Sequence, residues 1–294
     1  MWTPASRGWA VRLSGILVLF ALLRSIVAQD LSLNLDTNAR DKAQQMVYSS
    51  KLTFTQDTIT LFNDDQLYEL AHLAYIQMQT KFDADRVRPQ EQPAMMAVMA
   101  VEKDVFISSS LKGSGPSLYS LAPQHSKPRV VAALDRCQAR LQSQKKVPVN
   151  KKHRTEAGCA EIFALHQYHL DSDASQRAHN HPRSIRVVAY GKGGQTGVVG
   201  RDSKPLRGGE VINQEGFLTW GCRQFMADEG ITVPRKPGKK VDIRLPRPFP
   251  TFTHKQISVV PHARSRPTLN EGPRRDNIFS IISGQEKRGA ASQS

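Results

Sequence analysis

Residues 94–101 read Ala-Met-Met-Ala-Val-Met-Ala-Val, a nearly continuous apolar run. Glu102-Lys103-Asp104 makes a polar turn, and Val105-Phe106-Ile107 resumes the apolar pattern. Two strands joined by a short charged turn account for this stretch, and the first is apolar enough to be buried on both faces. A strand of that kind needs a packed layer above it and another below. The competing reading is a buried helix over 93–101, because Ala and Met favour helix.

The flanking segments offer the layers. Asp64-Asp65 can cap a helix whose apolar positions Leu67, Leu70, Leu73, Ala74, Ile76 and Met78 recur at helical spacing. Residues 82–92 are charged and contain prolines, hence a loop. A Gly, Ser and Pro loop over 113–127 leads to a helix at 128–144 with Val130, Val131, Leu134, Cys137 and Leu141 on one face. Cys137 there is a packing residue. After a basic linker, Lys145 to Arg154, a helix starts at Cys159 and runs to about Asp171. A polar stretch at 172–183, a strand over Ile185–Tyr190 and a glycine-rich loop at 193–216 follow. A short helix starts near Gly221 and stops at Gly230, and 231–233 supply one more short strand. The order predicts a three-layer α/β/α domain with a mixed sheet, spanning 64–233. Residues 29–63, with a short helix within 38–48 and a strand near 51–55, are read as an N-terminal extension.

Two cysteines begin helices in this order. Gly158-Cys159-Ala160-Glu161 opens the first, and Gly221-Cys222-Arg223-Gln224 the second. A thiol at a helix start faces the positive end of the dipole, which favours the thiolate, the form that binds metal. Glu161 falls in the first turn, beside whatever that thiolate holds.

At these residues the chain resembles the cytidine deaminase-like superfamily. Its zinc site combines a Cys-Ala-Glu or His-Ala-Glu helix start with a Pro-Cys-x-x-Cys helix start, often continued as Cys-Arg-Gln in the nucleoside branch. The resemblance implies Cys159 and Cys222 as zinc ligands and Glu161 as the catalytic proton shuttle. It also points to Ser108, where that branch carries a sugar-binding Asn, and to Trp220 as a base-stacking residue. Thr219 and Leu218 stand where the motif has its first Cys and its Pro, so this chain departs from the pattern by one ligand. A catalytic zinc keeps three protein ligands and one open position. The third would come from elsewhere, with His the commonest candidate: His153 and His166 lie near the Cys159 helix start, and His179 and His181 in the loop after it. His166 and His169 sit too far along the helix to reach its start. Two thiols that are neighbours in such a site could instead oxidise to a Cys159–Cys222 disulfide.

The ends of the chain carry other signals. Arg7 and Arg12 precede an apolar run, Leu13 to Leu23, with a small-residue exit at Ala28. Residues 1–28 are therefore expected to be a secretory signal, with a mitochondrial presequence as the alternative. No later segment is long enough to span a membrane. Three cysteines are too few for a disulfide scaffold. The formal charge is +15, and 13 Lys and Arg against 4 Asp and Glu fall within 234–294, with 8 of the 17 prolines. That segment reads as a basic, mostly extended tail that attracts nucleic acid or another polyanion, although 257–260 and 278–282 could dock on the domain.

Two functional expectations follow. One is a secreted, deaminase-like protein with a degenerate site and weak or no catalysis, acting through an anionic partner. The other is an active zinc-dependent deaminase of a cytosine-like base, in a nucleoside or nucleic acid, secreted as a toxin or effector.

Overall fold

The computed structural model describes residues 29–115, 117, 128–144, 153, 156–171, 185–191, 221–234 and 244–260. The expected signal segment, the 193–216 loop, His179, His181, Leu218, Thr219, Trp220 and residues 261–294 lie outside them. The apolar run is a strand, β4 (Met95–Val101), following β1 (Asn34–Leu35), β2 (Gln45–Met46) and β3 (Tyr48–Phe54). Next come β5 (Asp104–Ser109), β6 (Lys112–Gly113), β7 (Arg186–Gly191) and β8 (Phe252–Lys255). The helices are α1 (Thr37–Ala43), α2 (Thr58–Leu61), α3 (Asp64–Lys81), α4 (Arg129–Ser143), α5 (Ala160–Leu170) and α6 (Cys222–Asp228).

The main sheet has the order β1-β3-β5-β4-β7, with β8 also paired to β3. β4 is antiparallel to both neighbours, Val98 lying opposite Ile107 of β5 and Val188 of β7. Hydrogen bonding on both sides settles strand over helix here, against local propensities that differ by well under ~1 kcal/mol per residue. Its side chains alternate between two cores. Met96, Val98 and Ala100 pack with α3, while Ala97, Met99 and Val101 pack with α4, α5 and α6. Helices therefore cover both faces, and the fold is mixed α/β.

Every ladder among the described residues is antiparallel; the parallel element of the expected mixed sheet is a single bridge, Arg186 to Thr232. The strand expected over 231–233 goes no further because Gly230, at φ 68°, ends α6 immediately before it. Pro234, with no N–H to donate, follows it.

The sheet extends beyond 64–233 on both sides. β3 pairs with β5 from Ser49–Ser108 to Thr53–Asp104, placing residues of the expected N-terminal extension inside the domain. From the other end, β8 pairs with β3, and Ile257 and Val259 enter the α5-side core. The compact unit ends at Val260. Asp36 ties these terminal segments together. Its carboxylate accepts from Ala39 N at 3.1 Å, capping α1, and from Val259 N at 2.7 Å and Ser258 Oγ at 2.9 Å.

Beneath the end of α5 lies a buried ionic cluster. Lys51 of β3 bonds Asp171 and lies 3.2 Å from Asp104 of β5, whose other oxygen accepts from Thr53 Oγ1 at 2.6 Å. The exposed Lys255 of β8 lies 3.7 Å from Asp171. Breaking a buried pair costs about 3–5 kcal/mol because the surviving charge keeps its desolvation penalty. Lys51→Ala is expected to lower unfolding free energy by about that amount in urea titrations; a loss under about 1 kcal/mol would show the two carboxylates solvated without it.

Candidate metal centre

α5 begins at the end of the sheet where β5 finishes and β4 starts. Ser110 N donates to Met95 O and Leu111 N to Gly158 O, both at 2.9 Å, docking the helix start against the end of β5. Met95 in turn lies opposite Gly191, the last residue of β7. Cys159 is the N-cap of α5, partly exposed, with Glu161 two residues further on in the first turn.

The residues before Cys159 fold back on themselves. Glu156 N donates to His153 O at 2.9 Å, and Glu156 and Ala157 both take left-handed backbone, at φ 49° and 65°. Non-glycine residues there cost roughly 1–2 kcal/mol each. This turn returns the chain so that His153, six residues ahead of Cys159, lies at the same helix start.

Cys222 arrives from the other side as the first residue of α6. Gln224 Oε1 accepts from Gly221 N at 3.1 Å, closing the turn that presents the thiol. This explains the Gln of Cys-Arg-Gln as a helix cap, while Arg223 points to solvent. The helix closes with Ile231 N donating to Met226 O at 2.8 Å, around left-handed Gly230.

The ligand atoms of His153, Cys159 and Cys222 all lie within 4.8 Å of one another, and the group could hold a metal ion. His153 Nε2 is 3.7 Å from Cys222 Sγ. Zinc–ligand bonds of about 2.3 Å to sulfur and 2.0 Å to nitrogen, at a tetrahedral angle, place N and S about 3.5 Å apart. The 3.7 Å histidine–sulfur spacing lies close to that value. The two sulfurs themselves are joined as a disulfide, with Cα atoms 7.0 Å apart. That separation lies just beyond the usual disulfide range of about 4.4–6.8 Å, so the same backbone leaves room for the sulfurs to part.

Glu161 is buried, and burial pushes its carboxyl above the usual range, its own backbone N–H partly offsetting the effect. Cys137 is also buried, between α4 and α6; burial, with Asp228 beside it, pushes its thiol up to about 12. Cys137 therefore packs, as expected from its place on the α4 face. Ser108 is fully buried in β5, its Oγ donating to Ser109 O at 3.4 Å. Ser110 Oγ accepts from Ala94 N at 3.2 Å. A concave surface among Ile59, Asn63, Asp64, Asp65 and Arg186 lies at the opposite end of β7 from Gly191. Its Arg186 guanidinium is taken up by Phe62 O, Thr58 O and Asp64.

Of the candidate histidines among the described residues, His153 is the one brought to the cysteines. His166 instead lies two turns along α5, where its Nε2 is 3.0 Å from Val259 O. Helix rise had already set His166 aside; what the sequence does not announce is the arrival of His153, because the left-handed turn that delivers it uses Glu and Ala rather than a turn-marking Gly.

Matched against family models, curated proteins and solved structures, the chain finds no counterpart. No helix among the described residues is long and apolar enough to cross a membrane.

His166 gives the fold a pH dependence. Burial lowers its pKa to about 4, and His169 beside it is lowered to about 4 for the same reason. The unfolded chain therefore takes up protons near the ordinary histidine value while the folded chain stays neutral. Stability is full above that value and falls as pH drops toward 4. For His166 the loss is up to about 3 kcal/mol. Urea midpoints measured between pH 7 and 4 should fall steeply, and His166→Gln should reduce the slope; an unchanged slope would contradict the assignment.

Proposed function

We propose that the chain is a zinc-dependent hydrolase of the deaminase kind, acting on a cytosine-like base, with His153, Cys159 and Cys222 as its ligands. The observation that carries this reading is the arrival of His153 at the two cysteines. It supplies the ligand that the second motif lacks at Thr219, and it does so from the other side of Cys159. Three donors of one nitrogen and two sulfurs leave a fourth position open, the arrangement of catalytic rather than structural zinc. Zinc, when bound there, supplies Lewis-acid activation of water at neutral pH.

The protein's own contribution is placement and proton handling. Glu161 sits one turn or less from the ligand Cys159 and is withheld from solvent. A carboxyl there can take a proton from attacking water on one Oε and return it to the departing amino group. The helix start of α5, fixed by the Leu111–Gly158 bond, holds this carboxyl and the Cys159 thiolate in one frame. Ser108, with its hydroxyl committed within β5, is poorly placed to hold a sugar. Specificity would then fall to other residues near the helix starts, Trp220 among the candidates.

A second reading keeps the scaffold without the chemistry. The Cys159–Cys222 disulfide favours it, since a bonded sulfur pair cannot ligate zinc. Secretion through the 1–28 segment and a polyanion-binding role for the basic C-terminal residues belong to this reading.

Metal content and turnover separate the two. Reduced protein refolded with zinc should retain one equivalent, and His153→Ala should weaken retention at least about ten-fold. Ammonia release should be measured on cytosine, cytidine and single-stranded nucleic acid. Glu161→Gln should keep the zinc and lose about 10²–10⁴-fold in rate. Zinc-loaded wild type that releases no ammonia from any of these would leave the second reading.

A further inference from the structure

We propose that Cys159 and Cys222 form a thiol–disulfide switch that sets whether the centre can hold its metal. The inference rests on the metal reading of the site and adds its regulation. The two sulfurs that could ligate are the same two that the structure bonds to each other, with His153 still 3.7 Å from Cys222 Sγ. One set of backbone positions therefore serves both states. Oxidation removes two of three donors at once, and a single imidazole is too little to retain zinc.

The two cysteines are not equivalent. Cys159 is partly exposed and caps α5, a helix of 11 residues, where the dipole favours its thiolate. Cys222 is 8% exposed and buried among the core residues on the α5 face of the sheet. Cys159 is thus the sulfur that an external oxidant meets, and Cys222 the one that resolves. Cys137 does not compete, being buried with its thiol pushed up to about 12.

With a small-molecule disulfide as oxidant, the Cys159 thiolate attacks one of its sulfurs, forming a mixed disulfide and expelling the other half as a thiolate. The Cys222 thiolate then attacks Cys159 Sγ, forming the protein disulfide and expelling the second half. Two electrons pass from the cysteine pair to the oxidant, which leaves as two thiols after protonation. Zinc departs with its charge unchanged. A dithiol reductant runs the same exchange backwards and restores both ligands.

The test uses the full chain, reduced, loaded with zinc and treated with excess oxidised glutathione. Released zinc is read with a chromophoric chelator, free thiols are counted under denaturing conditions, and the bond is located by peptide mapping. One zinc should leave for every two thiols lost, the surviving thiol should be Cys137, and dithiothreitol with zinc should restore the starting state. Cys222→Ser should trap glutathione on Cys159. A reduced chain that takes up no zinc overturns the metal reading, and the switch with it. A chain that binds zinc but keeps both metal and thiols under oxidant overturns the switch alone. So does thiol loss that maps to Cys137.

Discussion

A strand with no polar face has nowhere to lie except inside a sheet covered on both sides, and β4 imposes that condition on the molecule. Its even-numbered side chains reach the α3 layer and its odd-numbered ones the α5 layer. Its partners β5 and β7 both run against it, so at one end of the sheet their last residues fall beside its start, Ser109 opposite Met96 and Gly191 opposite Met95. That end is where α5 starts. The Leu111–Gly158 hydrogen bond then fixes Cys159 to the sheet, and the rest of the centre is positioned from there.

What converges at this point is a small donor set with two chemical outcomes. Left-handed backbone at Glu156 and Ala157 stores roughly 2–4 kcal/mol of conformational cost, offset by the buried packing of Ala157 and His153. Strain held beside a cluster of metal-ligating groups is characteristic of functional positions. Two thiols and an imidazole within 4.8 Å can ligate a metal, and the thiols can bond to each other. Redox state, rather than fold, decides between these outcomes.

The apolar strand pair, the α3 and α4 faces, both cysteine helix starts and the Gly230 stop were legible because each obeys a local rule of period, cap or breaker. β3 was not. Its sequence, Tyr-Ser-Ser-Lys-Leu-Thr-Phe, buries a lysine, which composition assigns to the surface. Only the long-range pairing of Lys51 with Asp104 and Asp171 makes that burial tolerable. β8 was hidden by prolines and basic charge, although Phe252, Ile257 and Val259 supply the apolar anchors that dock it. His153 stayed one candidate among several, since its approach depends on a turn built from residues that do not announce one.

X-ray absorption at the zinc edge of the reduced, zinc-loaded protein reads the donor set directly. A first shell of two sulfurs at about 2.3 Å and one imidazole nitrogen near 2.0 Å, completed by a light atom, is the expected result. A shell containing only oxygen and nitrogen, or one unchanged by His153→Ala, would contradict the placement of the metal among these three residues.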